Sequence, residues 1–171
     1  KKPMLAYPVS DKPIDYTKHV FMQPKLDGVR CLIQQEFHKD GDKVVAYSRT
    51  GKKWLNIDHI LQSLKPFFAG NPDVILDGEL YNHALRDDFE KIISCVRKQK
   101  PTAIDRAESR RLVQFHCYDI VDETLKFDER YKFVFDNLRD SYGVRTVETH
   151  EVHAEQFTYQ LHQTFLDNGY E

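Results

Sequence analysis

Two spacings of apolar residues alternate along the chain. Runs with a period of two, rich in branched and aromatic residues, read as strands. They are HVFMQPK (a short strand interrupted by Pro24), VRCLIQQEF, KVVAYSRT, VILDGELYN, LVQFHCYDIV and VRTVETHEV. Between the second and third runs, Asp40-Gly41 is a hairpin turn signal. Helical spacing groups Ile57, Ile60, Leu61, Leu64 and Phe68, with Asn56 as the expected N-cap and Gly70-Asn71-Pro72 as the stop. It also groups Phe89, Ile92, Ile93 and Val96, then Phe127, Tyr131, Val134, Phe135 and Leu138. A last helix carries Phe157, Leu161 and Phe165, all three expected in the core, and is stopped by Gly169. Strands mixed with helices, one hairpin among them, predict an α+β domain with antiparallel or mixed sheets flanked by helices.

Composition narrows this reading. A chain of 171 residues suits one domain and can bury a real core. With 40% hydrophobic and 30% charged residues it is globular rather than disordered. A net charge of −2 means that no overall basic field advertises nucleic acid, although local basic stripes matter more than the total. Cys31, Cys95 and Cys117 are odd in number and lack metal-ligand spacing, which predicts reduced thiols in a cytoplasmic protein. His150 and His153 are expected on the surface rather than in a zinc site. No apolar run reaches membrane-spanning length, so no membrane partner is expected.

The chemistry concentrates where strands break into charge. Lys25-Leu26-Asp27-Gly28-Val29-Arg30 puts an amine, an acid and a guanidinium at the entrance to the hairpin. Gly28 and Gly78 stand where backbone or ligand must come close. A lysine is nucleophilic only when neutral, and with an ordinary pKa of about 10.4 it needs nearby cations or desolvation. Asp77 and Glu79 alternate onto one strand face and suit Mg²⁺, which takes one or two carboxylates plus phosphate oxygens. Arg30 and Arg49 offer fork-shaped donors for phosphate. Plainer readings stand beside these: Lys25 as a solvated turn residue, Asp77 and Glu79 as a strand end, Tyr118 as core, and Arg49 and Lys52 as hairpin-end charges. Taken together, nucleophilic lysine, metal acids and phosphate-binding arginines point to phosphoryl or nucleotidyl transfer.

The motif Lys25 to Arg30 resembles the KxDGxR nucleotidyl-lysine signature of the covalent nucleotidyltransferases. That superfamily includes ATP-dependent DNA ligases, RNA ligases and mRNA capping enzymes. Ser48-Arg49-Thr50-Gly51, Asp77-Gly78-Glu79-Leu80 and Tyr118-Asp119-Ile120-Val121 follow in the order of the later family motifs, and Pro3-Met4-Leu5-Ala6 is similar to the opening of many ligase adenylation domains. The resemblance implies an ATP-grasp-like nucleotidyltransferase fold and ATP and Mg²⁺ as cofactors. It implies a monomer acting on nicked double-stranded DNA in replication, repair or recombination.

By the same resemblance Lys25 would take AMP from ATP, and Asp27 and Arg30 would work near the ribose and the DNA ends. Arg49 would meet phosphate, and Glu79 the ribose or the metal, with Asp77 in support. Tyr118 would stack on adenine, and Gln23 would read its edge. Gly169-Tyr170-Glu171 looks like the lead into the next motif, whose acid helps bind metal. Residues 1–171 are therefore expected to form an adenylation domain incomplete at its C-terminus, without the OB domain. An RNA ligase, a capping guanylyltransferase and a nucleotide-binding fragment without activity are the alternatives. An NAD-dependent ligase fits less well, because that group usually lacks the arginine at position 30.

Overall fold

The strands assemble into two sheets that face different tasks. A computed structural model describes residues 2–171. Strand β1 (Val20–Met22) precedes the hairpin of β2 (Val29–Glu36) and β3 (Lys43–Tyr47). Helix α1 (Asp58–Gly70), β4 (Ile75–Tyr81), a 3-10 turn at His83–Leu85 and α2 (Phe89–Val96) follow. Then come α3 (Ala103–Leu112), β5 (Gln114–Ile120), α4 (Phe127–Asn137), β6 (Val144–Thr146), β7 (His150–Val152) and α5 (Glu155–Asp167). The larger sheet has the order β3-β2-β4-β5-β6, and β1 pairs with β7 in a separate two-stranded ribbon. All pairings are antiparallel except β5 with β6, so the large sheet is mixed, as the pattern predicted.

One face of the large sheet carries Cys31, Ile33, Leu76, Leu80, Phe115 and Cys117, all fully or almost fully buried. Ile60, Leu64 and Phe68 from α1, Ile92 and Val96 from α2, and Val134 from α4 belong to the same core. The opposite face is polar and carries Arg30, Asp77, Glu79, His116 and Tyr118, because alternation sends every second side chain there. Gly78 sits mid-strand between Cys31 and Cys117 in register. A Cβ on Gly78 would overlap the His116 carbonyl oxygen and lie 2.8 Å from the Phe115 ring. The three cysteines are buried and free.

Several local expectations change in three dimensions. Asn56 does not cap α1. Ile57 holds that position, and the buried Asn56 side chain donates to the carbonyls of Cys95 and Asp105. Helix α3 leaves no apolar spacing in the sequence, since Ser109 is its one buried residue. Its signal was the Thr102-x-x-Asp105 capping box just after Pro101. The run VRTVETHEV is two strands, not one: β6 joins the large sheet and β7 crosses to β1. Phe135 is 68% exposed and Phe157 47% exposed, so neither is core, and Leu161 is half-buried. Val134 and Phe135 lie about 100° apart on their helix, and it is Val134 that turns into the core. Phe135 instead continues a surface row of rings with Tyr131, Phe127 and Phe21.

Candidate active site

A single extra residue in β5 sets the geometry of the polar face. Asp77 pairs with Asp119 but Gly78 pairs with Cys117, so Tyr118 is the bulged residue. The bulge lets Cys117 and Ile120 both enter the core while Tyr118 and Asp119 both remain on the polar face. The resulting cleft, ≈ 610 Å³, falls in the size range of small-molecule sites. Among its walls are Met4, Gln23, Lys25, Arg30, Glu79, Tyr118, Asp119 and Arg130. A smaller cleft of ≈ 390 Å³ between the starts of α1 and α3 includes Asn56, His59, Arg106 and Arg110 and has no lysine.

Two fork-to-carboxylate pairs brace the cleft. Arg30 Nε and Nη2 donate to the two oxygens of Asp77 at 2.7 and 2.6 Å, and Nη2 also donates to the Met4 carbonyl at 2.9 Å. Arg130 Nε and Nη2 donate to Asp119 at 2.7 and 3.2 Å, and Nη1 to the Leu125 carbonyl. Bidentate pairs of this kind fix direction as well as charge. The Arg30 guanidinium lies 5.6 Å from the Tyr118 ring centroid, and the Tyr118 hydroxyl donates to Glu79 Oε1 at 3.2 Å.

Burial dominates the titration of these groups. It pushes the Glu79 carboxyl up to about 7, against the pull of Tyr118 and Arg30. Burial likewise raises the Asp77 carboxyl, with the Arg30 bonds opposing it, and raises the Tyr118 phenol. Arg30 is held firmly protonated by its hydrogen bonds to Asp77. Gly28 permits the tight approach of β2 to β4, since a Cβ there would overlap the Leu80 carbonyl oxygen and come 3.1 Å from Glu79 Oε2.

The structure gathers most of the residues singled out in the sequence. Lys25 lies in the loop between β1 and β2, with a side chain 76% exposed, and its amine meets Glu171 Oε2 at 3.5 Å. Asp27 is exposed on the same loop. Gln23 spends its amide N–H groups on the Tyr118 carbonyl and the Thr149 hydroxyl, which ties the small ribbon to the bulge. Arg49 does not line the main cleft. It borders a neighbouring one of ≈ 510 Å³ that shares Arg30 and Glu79. Asp77 is committed to Arg30, and Glu171 faces Lys25. Among the described residues no group of three or more His, Cys, Asp and Glu is arranged to hold a metal. Asp119 and Arg130 were not assigned a role by sequence reasoning. Their signal was the acid beside Tyr118, although nothing local to it indicates an arginine on α4 as its partner.

Residues 3–171 match the family described as ATP dependent DNA ligase domain. The chain belongs to that family. This ligase-domain chain is 29% identical over 154 residues to a DNA ligase of African swine fever virus, covering 88% of the chain and 34% of the viral protein. It thus spans about a third of the length of such relatives. The solved structure "Pmar-Lig_PreS3" superposes with a TM-score of 0.69 at 22% identity, covering 98% of the chain and 40% of that protein. A second, from "DNA binding with a minimal scaffold: Structure-function analysis of Lig E DNA ligases", gives 0.66 at 19% identity and covers 100% of the chain and 59% of that protein. These likenesses show that the ligase-domain chain has the ligase nucleotidyltransferase fold. No helix among the described residues is long and apolar enough to cross a membrane.

Proposed function

We propose that the chain is the adenylation domain of an ATP-dependent DNA ligase, with Lys25 as its nucleophile. The Lys25 amine, once neutral, attacks the α-phosphorus of ATP. A phosphorus–nitrogen bond forms, the bond to the bridging oxygen breaks, and pyrophosphate leaves with that electron pair. AMP then passes from Lys25 to the 5′-phosphate of a DNA nick, and the 3′-hydroxyl displaces it to seal the strand. The observation that carries this reading is one cleft lined by Lys25, Arg30, Glu79 and Tyr118 together.

Each side chain has a part in this reading. Arg30, aimed by Asp77, offers positive charge to phosphate and ribose oxygens, and Tyr118 offers a ring face to the base. Gln23 keeps its carbonyl oxygen for the base edge while its amide N–H groups stay bonded to protein. Asp27 stands beside Lys25, and Arg49 would meet phosphate in the adjoining cleft.

A divalent cation would restore the Glu79 charge that burial disfavours. Glu79 and Glu171 would hold it, Asp77 would act through Arg30, and a bound Mg²⁺ would draw charge from phosphate oxygens. DNA would be gripped mainly through its phosphates, so binding should weaken steeply with salt.

The test is intact-protein mass spectrometry after incubation with Mg²⁺ and ATP, GTP or NAD⁺, with Lys25→Ala alongside. The expected result is a gain of one AMP from ATP only, absent in the variant. A GMP adduct would move the assignment to a capping enzyme, and an AMP adduct from NAD⁺ to the other ligase class. No adduct from any donor would refute self-adenylation by this chain and move the assignment to a nucleotide-binding fragment without activity.

A further inference from the structure

We propose that His83 is a positioning residue for the lysine step, acting through Tyr170 and Glu171. The inference rests on the reading of Lys25 as nucleophile. Lys25 is mostly exposed, and its ion pair is with Glu171, far along the chain. A long exposed side chain holds such a contact weakly unless its partner is fixed. Glu171 lies beyond the end of α5, and the residues just before it are held in place.

Those residues are clasped. Gly169 takes φ +89°, and a Cβ there would lie 2.5 Å from Arg86 Nε and 2.9 Å from Arg86 Cδ. Arg86 Nη1 in turn donates to the His83 carbonyl. The Tyr170 ring stacks on the His83 imidazole with centroids 4.3 Å apart and planes 26° from parallel. Its other neighbour is Phe165, met edge-on, whose carbonyl accepts the Tyr170 backbone N–H at 2.9 Å.

His83 is itself fixed at both nitrogens. Nε2 is 2.8 Å from the Asn168 carbonyl, which can only accept, so Nε2 carries the proton. In the neutral ring Nδ1 then accepts from the Tyr81 hydroxyl at 2.7 Å. Tyr81 stands two residues after Glu79 on the same strand and the same face. The imidazole therefore ties the strand bearing Glu79 to the segment bearing Glu171. Tyr170 also borders a small cleft whose walls include Pro24 and Leu26, the two residues flanking Lys25. None of this clasp lines the main cleft.

The experiment has two readouts on the 171-residue chain. Carbodiimide coupling joins a carboxylate to an amine only where the two touch, and tandem mass spectra locate the bond. Wild type should give a Lys25–Glu171 amide, lost in Glu171→Gln. It should fall several-fold in His83→Ala and in Gly169→Ala, and persist in Tyr170→Phe, which keeps the stack. His83→Gln, which restores a donor to Asn168, should recover part of it. Circular dichroism melts identify any variant that loses the whole fold, and Gly169→Ala probes the clasp without altering His83.

In single-turnover formation of the Lys25–AMP adduct, His83→Ala should lose rate on the order of 10²-fold with little change in the ATP concentration for half-maximal rate. Unchanged coupling in folded His83→Ala, or an unchanged adduct rate, would overturn the positioning role. Loss of coupling in a protein whose wild type forms no adduct would uphold the clasp and overturn the lysine assignment instead.

Discussion

Removing the Asp77 carboxylate tests how the polar face is held. Asp77 is 1% exposed and receives two hydrogen bonds from Arg30, whose side chain keeps 23% exposure. Breaking a buried ion pair on one side costs about 3–5 kcal/mol, because the remaining charge stays desolvated and unpaired. Arg30 retains some water and the Met4 carbonyl, so Asp77→Ala belongs at the lower end, about 3 kcal/mol. At about 2–4 °C per kcal/mol for a chain of this size, the melting midpoint should fall by roughly 6–12 °C. Urea denaturation and thermal melts at one pH read both quantities. The double variant Arg30→Met/Asp77→Leu removes both charges and keeps the volume, so it should return to within about 1 kcal/mol of wild type. A loss under about 1 kcal/mol in Asp77→Ala, the range of exposed pairs, would refute the claim that this pair is a desolvated brace.

Three further outcomes are expected. Gly78→Ala should force β4 from β5 at the His116 carbonyl and Gly28→Ala should force β2 from β4, each costing about 1–3 kcal/mol or more. Gly70→Ala, with nothing within 4 Å of the new Cβ, should be neutral or stabilising in the same denaturation assay. Glu79 and His116 should pull stability in opposite directions as pH changes. The Glu79 value, raised from 4.5 to about 7, means that the folded state holds the extra proton between those values, so its contribution falls as pH rises through that window. His116, lowered from 6.5 to about 4, gives a contribution that rises with pH across 4–6.5. Denaturation curves of Glu79→Gln and His116→Gln, each subtracted from wild type, should therefore slope with opposite signs. Tyr118→Phe should raise the Glu79 carboxyl further, since the hydroxyl bond lowers it, yet retain nucleotide binding in equilibrium titrations that Tyr118→Ala loses.

Where local spacing decides structure, the chain could be read directly. The β2–β3 hairpin turns at Asp40-Gly41, with Gly41 at φ +122°, because a left-handed position there suits a residue without a Cβ. The motif around Lys25 falls in the loop that enters β2, and Asp77 and Glu79 share one face of β4 because strand alternation allows nothing else. Such features depend on residues a few positions apart. They are written in the order of the side chains.

Other features arise only when distant segments meet. The bulge at Tyr118 shifts one residue against β4 without any change in composition, and it decides that Tyr118 and Asp119 share a face. Asp77 and Glu79 look alike in sequence, yet one is taken by Arg30 and the other is left to Tyr118 with its charge disfavoured. The split of VRTVETHEV follows from two different partners, β5 and β1, competing for one continuous β-forming run. The contact of Lys25 with Glu171 needs β1, β4 and α5 all in place, as does the Arg130–Asp119 brace with α4. Periodicity encodes which side of an element is apolar, whereas partner, register and burial are collective properties of the packed chain, and the chemistry of each buried charge is set there.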